Sequence, residues 1–302
     1  MSALPAHVTV REVALRDGLQ IETPVPLSAK LALLDAIAAT GVREVEATAF
    51  VSPSKGPALA DAPELAERLS SYPGIEFSAL VASPNGARRA IAAGFRSLEY
   101  VVSAADGHSR ANVGRSSAEA TEQIADIVAI AHAVGVTVEV IVATAWDCPF
   151  DGPTDPTRVV GIVDTACLNG ADRIAIADTI GTATPGRVTS LVDAVLPRIG
   201  SRELGAHFHN TRGSGLASAY AAVAAGVTRL DSSVGGLGGC PFAPGASGNI
   251  ATEDLTYLLR DSGVATGIDL AAAIDAARVA RDIVGHDLPS ALLRAGDRIG
   301  AS

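Results

Sequence analysis

His207 and His209, separated only by Phe208, are the two ligand-type side chains most closely spaced for chemistry. On a β-strand, residues i and i+2 share a face, so the two imidazoles stand together while Phe208 points the other way. The pair alone has two readings, hydrogen-bonded structural histidines or ligands of a divalent ion. Other short runs also carry reactive groups: Arg16-Asp17-Gly18, Glu46 ahead of Thr48 and Phe50, Asp178-Thr179, and Asp231-Ser232-Ser233. Residues 235–249 hold six glycines in fifteen positions, with Cys240 between Gly239 and Pro241. A thiol on so pliant a lid can act as acid or base when the lid closes. Cys148 and Cys167 read as small core residues. The only lysines are Lys30 and Lys55, and neither sits where a Schiff base would form. A metal route to carbon–carbon chemistry is therefore left, with Arg16 as the positive charge at the site.

The elements that position these groups follow from a recurring junction. Alanine-rich segments end at Gly41, Gly94, Gly135, Gly170 and Gly226, and a β-prone run follows each almost at once. Glycine closes a helix in the left-handed conformation without a Cβ penalty, so each is a helix-to-strand junction. Strands are expected at 8–15, 42–50, 76–81, 98–103, 138–144, 173–177, 204–209 and 229–234. Helices are expected at 28–40, 117–134, 156–169, 185–199, 216–225 and 252–263. A repeat of roughly 30 residues with eight strands matches an α/β fold of the (β/α)8 TIM-barrel type. An open doubly wound sheet would start with a Gly-rich dinucleotide fingerprint, which is lacking. We expect one domain over 1–302, with the barrel over about 7–263 and a short helical C-terminal segment over 264–302, a cap or a homodimer contact.

The 302 residues are 48% hydrophobic and 19% charged, with mean hydropathy +0.31, enough to bury a large core. A formal net charge of -10 argues against nucleic acid or an anionic membrane as partner. The odd cysteine count, the absence of a leader-like start and the lack of long apolar runs point to the cytoplasm.

In a (β/α)8 barrel the functional groups gather at the C-terminal ends of the strands. Closure sets the first strand beside the eighth, so Asp17 can join His207 and His209. An Asn oxygen from the glycine-rich loop is a hard, neutral fourth donor. Two imidazoles with oxygen donors fit Mg2+ or Mn2+ better than zinc.

Arg16-Asp17-Gly18-Leu19-Gln20, Glu46 before Phe50-Val51-Ser52-Pro53, Asp178-Thr179-Ile180-Gly181, His207-x-His209, and residues 235–249 followed by Ala251-Thr252-Glu253-Asp254-Leu255 resemble the 3-hydroxy-3-methylglutaryl-CoA lyases of the DRE-TIM metallolyase superfamily. The resemblance covers nearly the whole length. It implies a divalent-metal-dependent carbon–carbon lyase that acts on an acyl-CoA thioester and releases acetyl-CoA and a keto acid. It places the metal ligands at Asp17, His207, His209 and Asn249. It also gives Arg16 the role of stabilising the enolate and Cys240 that of shuttling a proton, with Glu46 supporting Arg16. Asp17 and His207 both border the metal and are the two candidates for taking the hydroxyl proton, and substrate contacts are expected from Arg16, Gln20, Asp178, Thr179, Asn112 and Arg110.

Two departures bear on the substrate. Asn210 follows the second histidine where these lyases usually have Asp, and residues 105–112 lack the family's lysine pair while keeping Asn112. A related thioester such as citramalyl-CoA is then an alternative, with Arg110 or His108 meeting its distal carboxylate. A Claisen-condensing transferase would use the same parts in the opposite direction. The short C-terminal end favours the lyase.

Overall fold

The computed structural model describes residues 4–52, 54, 56–239 and 248–298. Eight parallel strands close into a barrel: β1 (Thr9–Glu12), β2 (Glu44–Phe50), β3 (Glu76–Val81), β4 (Ser97–Ser103), β5 (Thr137–Ala143), β6 (Arg173–Asp178), β7 (Leu204–Phe208) and β8 (Arg229–Ser232). β1 pairs with both β8 and β2, which completes the ring. The α/β TIM barrel expected from the glycine-ended repeat is the observed fold.

The connecting helices are α1 (Leu27–Ala39), α2 (Ala62–Ala66), α3 (Pro84–Ala92), α4 (Asp106–Val113), α5 (Ser117–His132), α6 (Pro156–Leu168), α7 (Pro185–Val195), α8 (Gly215–Ala225) and α9 (Thr252–Asp261). Their starts are set locally. Ser116 and Glu119 form a reciprocal capping box at α5, and Ser83 and Asp155 cap α3 and α6 ahead of a proline, each satisfying amides that the helix cannot. Outward residues such as Val10, Leu98, Val138 and Phe208 pack against this helical layer as the main core.

The barrel interior is charged. Arg11 on β1 reaches Glu99 on β4 at 2.8 Å, Glu139 on β5, and Asp231 on β8 at 2.9 Å. Side chains from opposite strands can meet only through the inside of the ring. Arg229 adds ion pairs to Glu139 and Glu44. Above this ionic layer lies a small apolar group of Val101, Ile141, Ala175 and Ala177.

Several boundaries differ from the sequence reading for physical reasons. The first strand ends at Glu12, not residue 15, because the Glu12 carboxylate takes the Ala14 amide at 2.9 Å. The chain then makes one wide π-helical turn, Ala14–Gly18, with the Gly18 amide bonded to the Val13 carbonyl. The seventh and eighth strands stop at Phe208 and Ser232. Pro197 tightens the end of the helix expected at 185–199 into a separate turn, Leu196–Arg198. A small antiparallel ribbon, Asp147–Cys148 with Gly152–Pro153, has no counterpart in the sequence reading.

After the barrel come α10 (Leu270–Val284) and α11 (Ala291–Ala295). Asp254 on α9 accepts from the Ser290 hydroxyl and the Ala291 and Leu292 amides, and the Ser290 amide donates to the Gly235 carbonyl. The C-terminal segment thus braces the start of the glycine-rich loop. Among the described residues no helix is long and apolar enough to cross a membrane.

Candidate active site

A cavity of about 1070 Å³ opens at the C-terminal ends of the strands, where the functional groups of this fold collect. The π-helical turn after β1 presents Arg16, Asp17 and, one turn on, Gln20 to it. π-helical turns recur at functional sites because the extra residue re-aims side chains. β7 presents His207, and His209 follows just beyond its end. Their ring centroids are 5.0 Å apart, whereas Phe208 faces out against Trp146, as the alternation required.

Asn249 comes from the far end of the glycine-rich loop, which returns to pair with His209 in an isolated bridge. Gly238 makes room for it. A Cβ there would lie 2.6 Å from the Asn249 side-chain nitrogen, and the residue has φ +122°, which L side chains rarely adopt.

Ligand atoms of Asp17, His207 and His209 lie within 4.8 Å of one another, and all three residues are buried. Asp17 Oδ1 accepts from Arg16 at 2.7 Å and Gln20 at 3.1 Å, while Oδ2 accepts from Asn249 Nδ2 at 2.8 Å. Burial alone would raise the Asp17 pKa, but the Arg16 guanidinium and the two histidines hold it well below the carboxylate range. It is a carboxylate at any working pH. His207 Nδ1 bonds Asp231 at 3.1 Å, which turns Nε2 toward the cluster. Burial lowers the imidazole pKa, but Asp231 and Asp17 more than offset this and leave it raised.

Three buried atoms of the cluster lack hydrogen-bond partners: both ring nitrogens of His209 and Asn249 Oδ1. Buried polar atoms are normally satisfied, and an orphan needs an explanation such as an ion. One carboxylate, two imidazoles and an amide oxygen form a donor set that fits a divalent cation.

Arg16 is held from both sides, by Asp17 at 2.7 Å and by Glu46 at 2.6 Å. Burial disfavours its charge, yet these carboxylates raise its pKa and keep it cationic. The Glu46 carboxyl is fully buried and pushed up by desolvation, with Arg16 opposing and Glu99 reinforcing the shift.

The other expected residues divide. Gln20, Thr179, Asn112 and His108 line the cavity. Asp178 instead accepts from the Thr182 and Ala183 amides at 3.0 and 2.8 Å, pinning the turn after β6. Arg110 lies on an exposed part of α4 and is not part of the lining. Asn210 turns away from the cluster, accepting from the Gly215 amide at 3.0 Å. Cys240 lies outside the described residues.

Sequence reasoning missed the support beneath the histidines. Arg11, Asp231 and His207 sit in register on the neighbouring strands β1, β8 and β7, and Arg11 grips both Asp231 oxygens at 2.9 Å. The available signal was a charged residue set singly between apolar neighbours, as in Leu98-Glu99-Tyr100 and Val138-Glu139-Val140; Arg11, followed by Glu12, did not show it. Arg89 and Arg115, which also line the cavity, had no such signal.

The HMGL-like family model matches residues 7–280. The chain belongs to the HMGL-like family. It is 39% identical over 300 residues to the (R)-citramalyl-CoA lyase of Chloroflexus aurantiacus, covering 96% of this chain and 95% of that one. It is 37% identical over 277 residues to the mitochondrial hydroxymethylglutaryl-CoA lyase of Rattus norvegicus, covering 91% and 85%. An HMG-CoA lyase from Acinetobacter baumannii, solved with coenzyme A and 3-methylmalate, superposes with a TM-score of 0.94 at 39% identity over 100% of this chain and 99% of that one. This member of the HMGL-like family is an enzyme, a lyase of the hydroxymethylglutaryl-CoA lyase type.

Proposed function

We propose that this HMGL-like lyase cleaves the C2–C3 bond of a branched 3-hydroxyacyl-CoA, 3-hydroxy-3-methylglutaryl-CoA or a close relative, to acetyl-CoA and a keto acid. The observation that carries this reading is the set of orphaned atoms on His209 and Asn249 beside Asp17 and His207. These four residues would hold Mg2+ or Mn2+, hard ions suited to oxygen and imidazole donors. When bound, the ion supplies Lewis-acid stabilisation to a substrate hydroxyl losing its proton.

The chain's own groups do the rest. Asp17 and His207 border the place where the 3-hydroxyl gives up its proton. The C3 carbonyl then forms as the C2–C3 bond breaks, and the electron pair moves onto the thioester as an enolate. Arg16, fixed by Glu46 and Asp17, directs a permanent charge at the thioester oxygen; a donor already in place is worth most there because it need not reorganise. Cys240 on the glycine-rich loop is the proposed proton donor to C2, giving acetyl-CoA. Gln20 steadies Asp17, while Thr179 and Asn112 contact substrate from the cavity wall. Asp178 serves by holding the turn that carries Thr179. The barrel with its docked α10 and α11 works as a single domain.

A second reading, citramalyl-CoA as substrate, is favoured by the missing lysine pair at residues 105–112 and by the likeness to the Chloroflexus enzyme across both chains. The test incubates the protein with each thioester and Mg2+ or Mn2+, with an EDTA control, and follows products by mass spectrometry. Acetoacetate with acetyl-CoA supports the first substrate, and pyruvate with acetyl-CoA the second. If neither is cleaved but acetyl-CoA condenses with a 2-keto acid, the lyase direction is overturned.

A further inference from the structure

The cavity has a second charged wall, across the barrel from the ligand cluster. Three described arginines line the cavity, Arg16 beside the ligand cluster and Arg89 and Arg115 on this second wall. Arg16 is committed to Glu46 and Asp17. Arg89 projects from α3, its guanidinium carbon 5.6 Å from the Phe50 ring centroid and its Nη1 3.4 Å from the Val51 carbonyl. Arg115 follows the left-handed Gly114 that ends α4. Among the described residues neither guanidinium makes an ion pair with a carboxylate, in contrast to Arg158 and Arg187 on the neighbouring surface. Both therefore present charge to the cavity.

The ring order fixes their position relative to the chemistry. His207 lies on β7 and Asp17, His209 and Asn249 follow β1, β7 and β8, whereas Arg89 and Arg115 follow β3 and β4, which lie opposite β7 and β8 in the closed barrel. The floor between the two ends is apolar, made by Val101, Ile141, Ala143 and Ala177. The cavity thus asks for an occupant with a reacting, oxygen-rich end, a long middle of low charge and an anionic far end. In a 3-hydroxyacyl-CoA the acyl carboxylate is only a bond or two from the carbinol carbon, so it stays on the ligand side. The pantetheine arm is the long middle, and the nucleotide phosphates are the far anions.

We propose that Arg89 and Arg115 bind the phosphates of the nucleotide half of the thioester, an inference that rests on the thioester reading above. Planar guanidinium groups match phosphate oxygens in paired hydrogen bonds. Arg115 thereby takes the anion-binding role that the sequence reading gave to Arg110, with phosphate in place of carboxylate as its partner. Arg89, stacked on Phe50, loses little freedom on binding.

The test titrates coenzyme A itself into the wild-type protein and the double variant Arg89→Gln/Arg115→Gln by calorimetry. In parallel, turnover is measured with a 3-hydroxyacyl-CoA and with the matching acyl-pantetheine, which lacks the nucleotide. The expected result is a tenfold or greater loss of coenzyme A affinity in the variant, with a shallower dependence on salt. The KM for the CoA thioester rises correspondingly, and kcat/KM for the acyl-pantetheine is the same in both proteins. Coenzyme A affinity within threefold of wild type overturns the inference. So does an equal loss with the acyl-pantetheine, which would place the arginines on the acyl half. If the wild-type protein cleaves no thioester yet coenzyme A affinity still depends on the two arginines, the reaction reading fails and the phosphate site stands.

Discussion

Asn249 Nδ2 donates to Asp17 Oδ2 at 2.8 Å across 232 positions of chain, and to the Leu237 carbonyl at 2.9 Å. Both amide hydrogens are spent, so Oδ1 is left bare beside the histidines. A residue whose nitrogen is locked in this way has its oxygen pre-aimed. Asn249→Ala is expected to weaken Mn2+ binding about 10–100-fold, the scale on which loss of groups that fix a metal site is felt. Electron paramagnetic resonance of free Mn2+ measures this directly, and an unchanged affinity would remove Asn249 from the ligand set.

Asp231 acts one step further out. Arg11 fixes both of its oxygens and His207 Nδ1 takes one of them, so the imidazole can rotate only by breaking an ion-paired contact. Asp231→Asn keeps the shape but weakens both bonds. Mn2+ affinity should fall about 10–100-fold, and thermal stability should fall too, because the buried Arg11 loses a counter-charge. Asp231→Asn with wild-type metal affinity would reduce the pair to a structural bond.

The barrel was readable in the sequence because its signal is repeated. Helix-ending glycines before short β-prone runs mark one junction many times over, and an error in any single element does not alter the repeat. The histidine pair was readable because strand alternation needs only two residues. What escaped reading depends on long-range closure. The Arg11, Glu99, Glu139 and Asp231 network joins strands far apart in sequence, and nothing local to Arg11 says that its partners lie across the barrel. Asp178 misled for the converse reason: a carboxylate at a strand end is placed for chemistry, but two backbone amides in the next turn capture it first.

Glu12 gives a pH prediction with a definite sign. Its carboxyl accepts from the Ala14 and Val234 amides and the Thr252 hydroxyl, yet desolvation raises its pKa to about 8, and that of Glu253 to about 7. Between the unfolded value of 4.5 and these folded values, the folded state holds protons that the unfolded state has released. Stability therefore falls as pH rises through that window. Glu12→Gln leaves one oxygen for both backbone amides and an amide NH2 that can donate to the Thr252 hydroxyl oxygen, so it should fold, and its unfolding midpoint should change less steeply between pH 5 and 8. Parallel midpoint curves for the two proteins would contradict the raised pKa of Glu12.

Arg16 separates stability from catalysis. Glu46 is fully buried and Arg16 is its only ion-pair partner among the described residues. Arg16→Gln should therefore cost about 1–3 kcal/mol of folding stability, because the buried Glu46 carboxyl, already pushed up by desolvation, is left protonated and without its hydrogen-bonding partner. It should also lower kcat about 10²–10³-fold through loss of a pre-placed charge at the thioester oxygen. The two effects come apart in Arg16→Gln/Glu46→Gln, where the buried carboxyl goes with its partner. Thermal unfolding of the double variant should return toward wild type while kcat stays as low as in the single variant. Recovery of both would mean that Arg16 only fills and braces the site, and the enolate would then need another stabilising group.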